Sequence, residues 1–256
     1  MLELKERLIV ALDVDSLDKA KYFVDLLYPK VNKFKIGSVL FTASGPSVVE
    51  MIDQKGAKVF LDLKFHDIPH TVFSAVASGT GLSCEPAFIS TTSLNIEKSI
   101  RENIRPAVFM MTVHTIGGKE MLKEAVRGAT EKAAGLRIIK PCIVGITRLT
   151  SDENTENTQK DVLAAARLAK DSGLDGVVCS VHEAAMVRKE FGEKFLIVTP
   201  GIRPKGYKKD DQSRTATAQE AIQAGANYIV VGRPILEAKK PLLALEELLA
   251  EIKQGC

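Results

Sequence analysis

Short apolar runs that alternate with helix-like stretches recur along the whole chain, and this alternation limits its possible folds more than any other feature. Eight runs are rich in Val, Ile and Phe, as strands buried on both faces are. They cover residues 8–12, 33–36, 59–63, 107–113, 138–146, 176–179, 195–199 and 228–231. The alternation predicts an α/β chain with a parallel sheet, and eight is the number of strands that closes a TIM barrel.

An open, doubly wound sheet is the alternative to a closed (β/α)8 barrel. That fold usually carries a glycine-rich turn after its first strand, whereas residues 11–15 contain no glycine. A chain of 256 residues could also form two small domains, but no Gly/Ser/Pro-rich linker divides it. We therefore expect residues 1–256 to form a single barrel domain.

One stretch before the fourth strand is longer than a single helix requires. Residues 79–105 include Gly79-Thr80-Gly81, Cys84-Glu85-Pro86 and a helix-like pattern over residues 94–103. We interpret this stretch as an inserted loop with a second helix.

Composition and charge argue against several classes of protein. The formal net charge is only +3, and the basic residues are scattered rather than clustered, which does not favour nucleic acid as a partner. No apolar run is long enough to cross a bilayer, and the charged N-terminus does not resemble a signal peptide. The cysteines form no Cys-x-x-Cys pair, which fits a reducing cytoplasm; they are Cys84, Cys142, Cys179 and Cys256.

Charged residues stand at the ends of the first three predicted strands, where a barrel carries its chemistry. Asp62 and Lys64 are two residues apart and should face the same side of the third strand. Lys35 on the neighbouring strand can reach the same place, and Asp67 follows just beyond. The result is an alternating array, Lys35-Asp62-Lys64-Asp67, in which each charge keeps its neighbours ionised. A salt-bridge ladder that closes the barrel would give the same pattern, but Asp13 together with Lys35 favours a functional site.

A phosphate site is predicted after the last strand, where Gly232-Arg233-Pro234 follows a buried run. Pro234 fits the first turn of a helix, whose free N–H groups and the Arg233 fork suit a phosphate dianion. A tight turn with a surface arginine is the structural alternative.

A long polar stretch follows the seventh strand, from Thr199-Pro200-Gly201-Ile202-Arg203 to Asp210-Asp211-Gln212-Ser213-Arg214. Next to a phosphate site, such a loop is typical of a closing lid, although an ordinary solvated loop has the same composition. The histidines give no sign of a metal site. His114 ends the fourth strand, and His66, His70 and His182 form no compact ligand set, so we expect no metal.

The segment Asp62-x-Lys64-x-x-Asp67-Ile68-Pro69-x-Thr71 resembles the signature of the orotidine 5'-phosphate decarboxylase family. Further pieces in family order extend the resemblance from near residue 8 to near residue 235. They are Ala11-Leu12-Asp13, Phe34-Lys35-Ile36-Gly37, Val113-His114-x-x-Gly117-Gly118, Gly145-Ile146-Thr147-x-Leu149-Thr150-Ser151, Gly176-Val177-Val178-Cys179-Ser180, Thr199-Pro200-Gly201-Ile202-Arg203, Asp211-Gln212-x-Arg214 and Val231-Gly232-Arg233. Related sugar-phosphate barrels share the Asp-x-Lys-x-x-Asp core, but the full series is far more specific.

The resemblance implies a cofactor-independent carboxy-lyase that converts orotidine 5'-phosphate to UMP and CO2, the last step of de novo UMP biosynthesis. It implies that Lys64 protonates C6 of the pyrimidine, with Asp62, Asp67 and Lys35 as its charged partners. It also implies a cytoplasmic homodimer with shared sites, in which Asp67, Ile68 and Thr71 reach the partner's site. The remaining substrate contacts implied are Asp13 and Lys35 to the ribose, Thr150 to the pyrimidine, and Arg203, Gln212, Gly232 and Arg233 to the phosphate and lid.

Two departures from the family pattern stand out. Residues 71–114 are roughly two dozen residues longer than the family usually needs, which bears on dimer geometry. Arg148 lies in Thr147-Arg148-Leu149-Thr150, where family members often carry an uncharged residue. Two other functions stay open: a magnesium-dependent sugar-phosphate decarboxylase or aldolase of the same barrel type, and a non-catalytic nucleotide-binding barrel.

Overall fold

Eight parallel strands form a closed barrel in the computed structural model, which describes residues 4–83, 105–148, 157–204, 207 and 215–256. Each strand pairs with the next in the chain, and β8 pairs with β1 through Leu8↔Ile229 and Val10↔Val231. The strands are β1 Leu8–Ala11, β2 Lys33–Gly37, β3 Lys58–Phe65, β4 Val108–His114, β5 Cys142–Ile146, β6 Gly176–Val178, β7 Leu196–Thr199 and β8 Tyr228–Val231. The prediction of a (β/α)8 barrel is confirmed.

Helices follow the strands and cover the outside of the barrel. They are α1 Leu4–Arg7, α2 Leu17–Leu27, α3 Ser38–Ser44, α4 Ser47–Gln54, α5 Pro69–Thr80, α6 Gly118–Leu136, α7 Thr158–Asp171, α8 Val181–Phe191, α9 Ala218–Gln223, α10 Arg233–Leu236 and α11 Pro241–Gly255, with a 3-10 turn at Thr115–Gly117. None of the helices in the described residues is long and apolar enough to cross a membrane. Residues 84–104 of the expected insertion lie outside the described residues.

Local sequence signals account for several boundaries. Ser16 caps the N-terminus of α2, where its hydroxyl accepts the backbone N–H of Lys19 at 3.4 Å. β5 begins at Cys142, four residues later than the apolar run suggests. Pro141 precedes it and has no N–H to donate to a strand ladder, so the regular pairing starts only after it.

The interior of the barrel is filled by its own apolar layer, separate from the core between strands and helices. Side chains such as Phe60, Met110 and Val144 are at most 2% exposed within it. At the amino-terminal end of the strands, buried Lys33 pairs with Glu6, which also accepts a hydrogen bond from Asn32 at 2.7 Å. This packing closes the barrel at the amino-terminal ends of its strands, so the open space lies at the carboxyl ends.

Candidate active site

β3 departs from regular pleating just where the predicted catalytic residues lie. Leu61 pairs with Met111 and Phe65 with Val113, so β3 advances by four residues over a stretch in which β4 advances by two. The backbone of Lys64 takes up this excess in a left-handed conformation, with φ of 51°. The irregularity therefore decides where the Asp62 and Lys64 side chains meet.

Four charged side chains form a connected group at the open end of the barrel, which we call the charged cluster: Asp13, Lys35, Asp62 and Lys64. Lys64 Nζ lies 2.9 Å from Asp62 Oδ2, and Lys35 Nζ lies 3.5 Å from the same oxygen. Lys35 Nζ also lies 3.0 Å from Asp13 Oδ1. One carboxylate oxygen of Asp62 is thus shared by two ammonium groups.

Gly37 leaves the space in which the Lys35 ammonium lies. A Cβ at this position would sit 3.1 Å from Lys35 Nζ and 3.7 Å from Asp13 Oδ1. Gly37 is paired in register with Asp62 on β3. A side chain at position 37 would crowd the Lys35 ammonium, which bridges the carboxylates of Asp13 and Asp62.

Asp62 and Lys35 stay charged despite their burial. Burial would raise the pKa of Asp62, but the charges of Lys35 and Lys64 outweigh it, so that pKa is lowered below its ordinary value. Hydrogen bonds from Lys64 and Thr112 act in the same direction. Burial would likewise lower the pKa of Lys35, yet the charges of Asp62 and Asp13 raise it. Around neutral pH, Asp62 and Lys35 form an ion pair rather than a neutral pair.

Asp67, the fourth member of the predicted alternating array, lies outside the charged cluster. In the described part of this chain it is not an ion-pair partner of Lys64; its Oδ1 accepts the backbone N–H of Ile68 at 2.6 Å. Residues 66–71 are all exposed, and Ile68 is 66% exposed. Within one chain the structure therefore brings together Lys35, Asp62 and Lys64, and leaves Asp67 and Thr71 on the surface.

A cavity of about 220 Å³ opens beside the charged cluster. Phe60, Ile146, Val178 and Val230 supply apolar surface to its wall. Lys35, Asp62 and Lys64 line one side, on β2 and β3. A pocket with apolar walls and a few convergent polar groups is the usual form of a small-molecule site.

Three of the phosphate-binding residues predicted from sequence line the same cavity, after β7 and β8. Arg203, Gly232 and Arg233 all contribute to its wall. A Cβ at Gly232 would lie 3.1 Å from Asp13 Oδ2, a tight contact, so glycine suits the close approach of the chain to this carboxylate. The helix that begins at Arg233 is a single turn, so the guanidinium groups offer more to a phosphate than a helix dipole does.

The two ends of the loop after β7 are held together by backbone contacts. Ile202 forms a parallel bridge with Ala216, and the Arg203 N–H donates to Ala216 O at 2.9 Å. Residues 205–206 and 208–214, which include the predicted contact Gln212, lie outside the described residues, as does Thr150 on the loop after β5.

Two residues that we did not single out as site residues belong to this region. Thr112 on β4 is fully buried and bonds to both Asp62 and the Lys64 backbone. Arg148 lines the cavity, and its Nη1 lies 3.3 Å from Thr158 Oγ1 and 3.6 Å from Asp161 Oδ2. For Thr112 the sequence offered only a polar residue in a mostly apolar strand, which does not by itself indicate a site. For Arg148 the signal was its departure from the family pattern.

Metal ligation finds no support in the described ranges, which contain no group of three His, Cys, Asp or Glu side chains able to hold an ion. His114 is close to His66, with ring centroids 5.9 Å apart, on the rim rather than in the charged cluster.

A family model described as Orotidine 5'-phosphate decarboxylase / HUMPS family matches residues 6–248. Proteins named orotidine 5'-phosphate decarboxylase are similar along nearly their whole length. The one from Coxiella burnetii is 40% identical over 96% of this chain and 97% of its own. The one from Moorella thermoacetica is 39% identical over 97% of this chain and 93% of its own.

Solved structures give the same result. The crystal structure of orotidine 5'-phosphate decarboxylase from Lactobacillus acidophilus superposes with a TM-score of 0.75 at 33% identity. The match covers 96% of this chain and 98% of that chain.

Proposed function

The chain belongs to the orotidine 5'-phosphate decarboxylase family and is a carboxy-lyase that converts orotidine 5'-phosphate to UMP and CO2; we propose that Lys64 supplies the proton that replaces the lost carboxylate. The observation that carries this role is the position of the Lys64 ammonium. It lines the cavity and is held 2.9 Å from a buried carboxylate.

The reaction needs a strong electrostatic stabiliser. When the bond from C6 to the carboxylate breaks, the electron pair stays on C6 in the plane of the ring, where the ring carbonyls cannot delocalise it. A fixed cation beside C6 stabilises that carbanion in a site shielded from water. The same ammonium then transfers a proton to C6 and is reprotonated from solvent.

The charged cluster prepares Lys64 for both steps. Asp62 holds the Lys64 ammonium in place at 2.9 Å, and the charge of Lys35 helps to keep Asp62 ionised. Since the three groups hold one another in place through these contacts, little reorganisation is needed during the reaction. Asp13, which contacts Lys35, is placed to bind the ribose hydroxyls together with it.

Binding energy from the phosphate completes the site. Arg203, Gly232 and Arg233 line the same cavity as Lys64, from positions after β7 and β8, and we assign them to the phosphate. We assign Gln212 to the same grip and Thr150 to the pyrimidine. Contacts to a remote phosphate can drive loop closure and exclude water, and thereby lower the barrier of the chemical step.

A second copy of this chain is the proposed partner. The exposed segment of residues 66–71 carries Asp67, Ile68 and Thr71, and Ile116 nearby is 69% exposed. Gly117, next to Ile116, approaches the ring of His66, so the two exposed isoleucines lie on neighbouring segments. An apolar surface with a carboxylate at its edge suits a homodimer in which Asp67 enters the partner's site beside Lys64.

We place the enzyme in the cytoplasm as one barrel domain spanning residues 1–256, with residues 79–105 as an insertion. Among the described residues, Cys142, Cys179 and Cys256 form no disulfide, which is compatible with a reducing compartment.

Removal of divalent metal should leave the activity unchanged. We expect purified protein to consume orotidine 5'-phosphate, measured by the loss of orotidylate absorbance, at the same rate with and without EDTA. The charge stabilisation comes from Lys64, so no step requires a metal. A rate that collapses in EDTA and recovers with Mg²⁺ would favour the sugar-phosphate enzymes of this barrel type. UMP binding without release of CO2 would favour a non-catalytic barrel.

Arg233→Ala should weaken catalysis only for substrates that carry the phosphate. We expect kcat/KM for orotidine 5'-phosphate to fall about 10- to 100-fold, which corresponds to a lost charge-assisted hydrogen bond. With phosphate-free orotidine the two proteins should differ by less than about twofold. Equal losses on both substrates would show that Arg233 supports the fold or the chemistry instead of gripping the phosphate.

A further inference from the structure

We propose that Thr112 is a positioning residue that fixes the relative placement of Lys64 and Asp62; this inference rests on the proposed role of Lys64. Its side chain touches both residues. Thr112 Oγ1 accepts the backbone N–H of Lys64 at 2.8 Å and donates to Asp62 Oδ1 at 3.0 Å. Thr112 lies on β4, so its hydroxyl links the Lys64 backbone and the Asp62 side chain from the neighbouring strand.

The hydroxyl stands at the point where the β3–β4 ladder is interrupted. Thr112 lies between Met111 and Val113, the residues that pair with Leu61 and Phe65 on either side of the irregularity. The N–H of Lys64 falls inside this gap and takes the hydroxyl oxygen of Thr112 as its acceptor. A threonine side chain thus supplies the bond that a regular ladder would have supplied.

The left-handed backbone of Lys64 requires such support. A residue with a side chain is strained in this conformation and persists in it where its surroundings hold it there. Thr112 is 0% exposed, so no solvent competes for its single proton or its lone pairs. The conformation of Lys64 therefore depends on a buried bond from the next strand.

The second bond orients the carboxylate. With Oδ1 of Asp62 engaged by Thr112, Oδ2 is turned toward Lys64 Nζ and Lys35 Nζ. One hydroxyl consequently sets both ends of the Asp62–Lys64 pair: the backbone from which Lys64 projects and the oxygen that receives its ammonium. Displacement of a catalytic group by about 1 Å can cost 100-fold in rate, so loss of the hydroxyl should appear in kcat.

The test compares Thr112→Val with Thr112→Ser. Valine keeps the shape but removes both hydrogen bonds, whereas serine retains the hydroxyl. We expect Thr112→Val to lower kcat about 10- to 100-fold and to change the Kd for UMP by less than about threefold. Thr112→Ser should recover kcat to within about threefold of the unmodified enzyme. Calorimetry gives the number of UMP sites per chain, and this number measures the fraction of folded enzyme in each preparation.

Thr115→Val is the matched control. Thr115 follows β4 directly, is buried, and donates to Ile146 O at 2.8 Å without touching the charged cluster. The Thr115→Val variant should have a lower thermal stability than the unmodified enzyme and the same kcat. If Thr115→Val loses as much kcat as Thr112→Val, or if serine at position 112 is no better than valine, Thr112 acts only through general stability and the inference is wrong.

Two further variants separate the possible failures. Should Thr112→Val not fold, Thr112→Ala replaces it; alanine leaves room for water, and an unchanged kcat there would equally overturn the inference. Lys64→Ala is assayed in parallel. Full activity in Lys64→Ala would reject the role of Lys64 itself, whereas an inactive Lys64→Ala beside a fully active Thr112→Val would reject Thr112 alone.

Discussion

Lys64→Ala is expected to lower kcat by at least about 10³-fold while the barrel stays folded, because it removes both the cation beside C6 and the proton donor. The fold should tolerate the change. Asp62 would still face Lys35 at 3.5 Å and the hydroxyl of Thr112 at 3.0 Å, so no buried charge is left alone. Turnover is measured from the loss of orotidylate absorbance, and folding from the thermal transition and UMP binding.

Lys55→Ala provides the surface control for this variant. Lys55 pairs with Asp25 at 2.6 Å, and its side chain is 45% exposed, so its loss should change neither kcat nor stability appreciably. If Lys64→Ala retained even a tenth of the kcat, another group would have to protonate C6. The function of the chain would stand, but the proposed donor would not.

Two inactive variants mixed into one dimer are expected to restore activity if Asp67 serves the partner's site. Lys64→Ala and Asp67→Asn should each be nearly inactive alone. In a mixed dimer, one site carries both substitutions and the other carries neither. Random pairing makes half of the dimers mixed, so the mixture should reach about a quarter of the unmodified specific activity. The measurement is kcat per chain after the two proteins are denatured and refolded together.

Lys64→Ala mixed with Asp62→Asn is the matched control for that experiment. Asp62 and Lys64 contact each other within one chain, so every site in their mixed dimer contains one substitution. No recovery is expected. A mixture of Lys64→Ala and Asp67→Asn that stays inactive while mixed dimers demonstrably form would show that Asp67 does not act across the interface.

Site residues on separate strands were predictable from position in the chain. Parallel strands in a barrel expose their carboxyl ends on one face, so charges at the ends of β1, β2 and β3 had to meet there. This reasoning identified Asp13, Lys35, Asp62 and Lys64. The period of two, from which we inferred that Asp62 and Lys64 share a side, is only part of the reason. The backbone of Lys64 has a left-handed conformation, and the interrupted β3–β4 pairing decides how the two side chains meet.

Cross-strand contacts were beyond the reach of sequence patterns. Thr112 occupies one of many polar positions, and only the register of β4 against β3 shows that its hydroxyl fills a gap in the ladder. The sequence likewise shows Gly37 only as a glycine at the end of a strand, and the position of the Lys35 ammonium is needed to see why a side chain there would be crowded. Asp67 lies five residues beyond Asp62, yet the turn into α5 directs it outward.

The sequence by itself determined the fold class and the family, because the alternation of strands and helices and the order of the motifs are properties of the chain that survive without coordinates. Tertiary structure alone decided which atoms of the charged cluster touch, which carboxylate stays outside, and which hydroxyl supports Lys64. The physical reason is that closing the barrel fixes the stagger between strands. Hydrogen bonds of about 3 Å depend on that stagger, and the periodicity of a single strand carries no information about it.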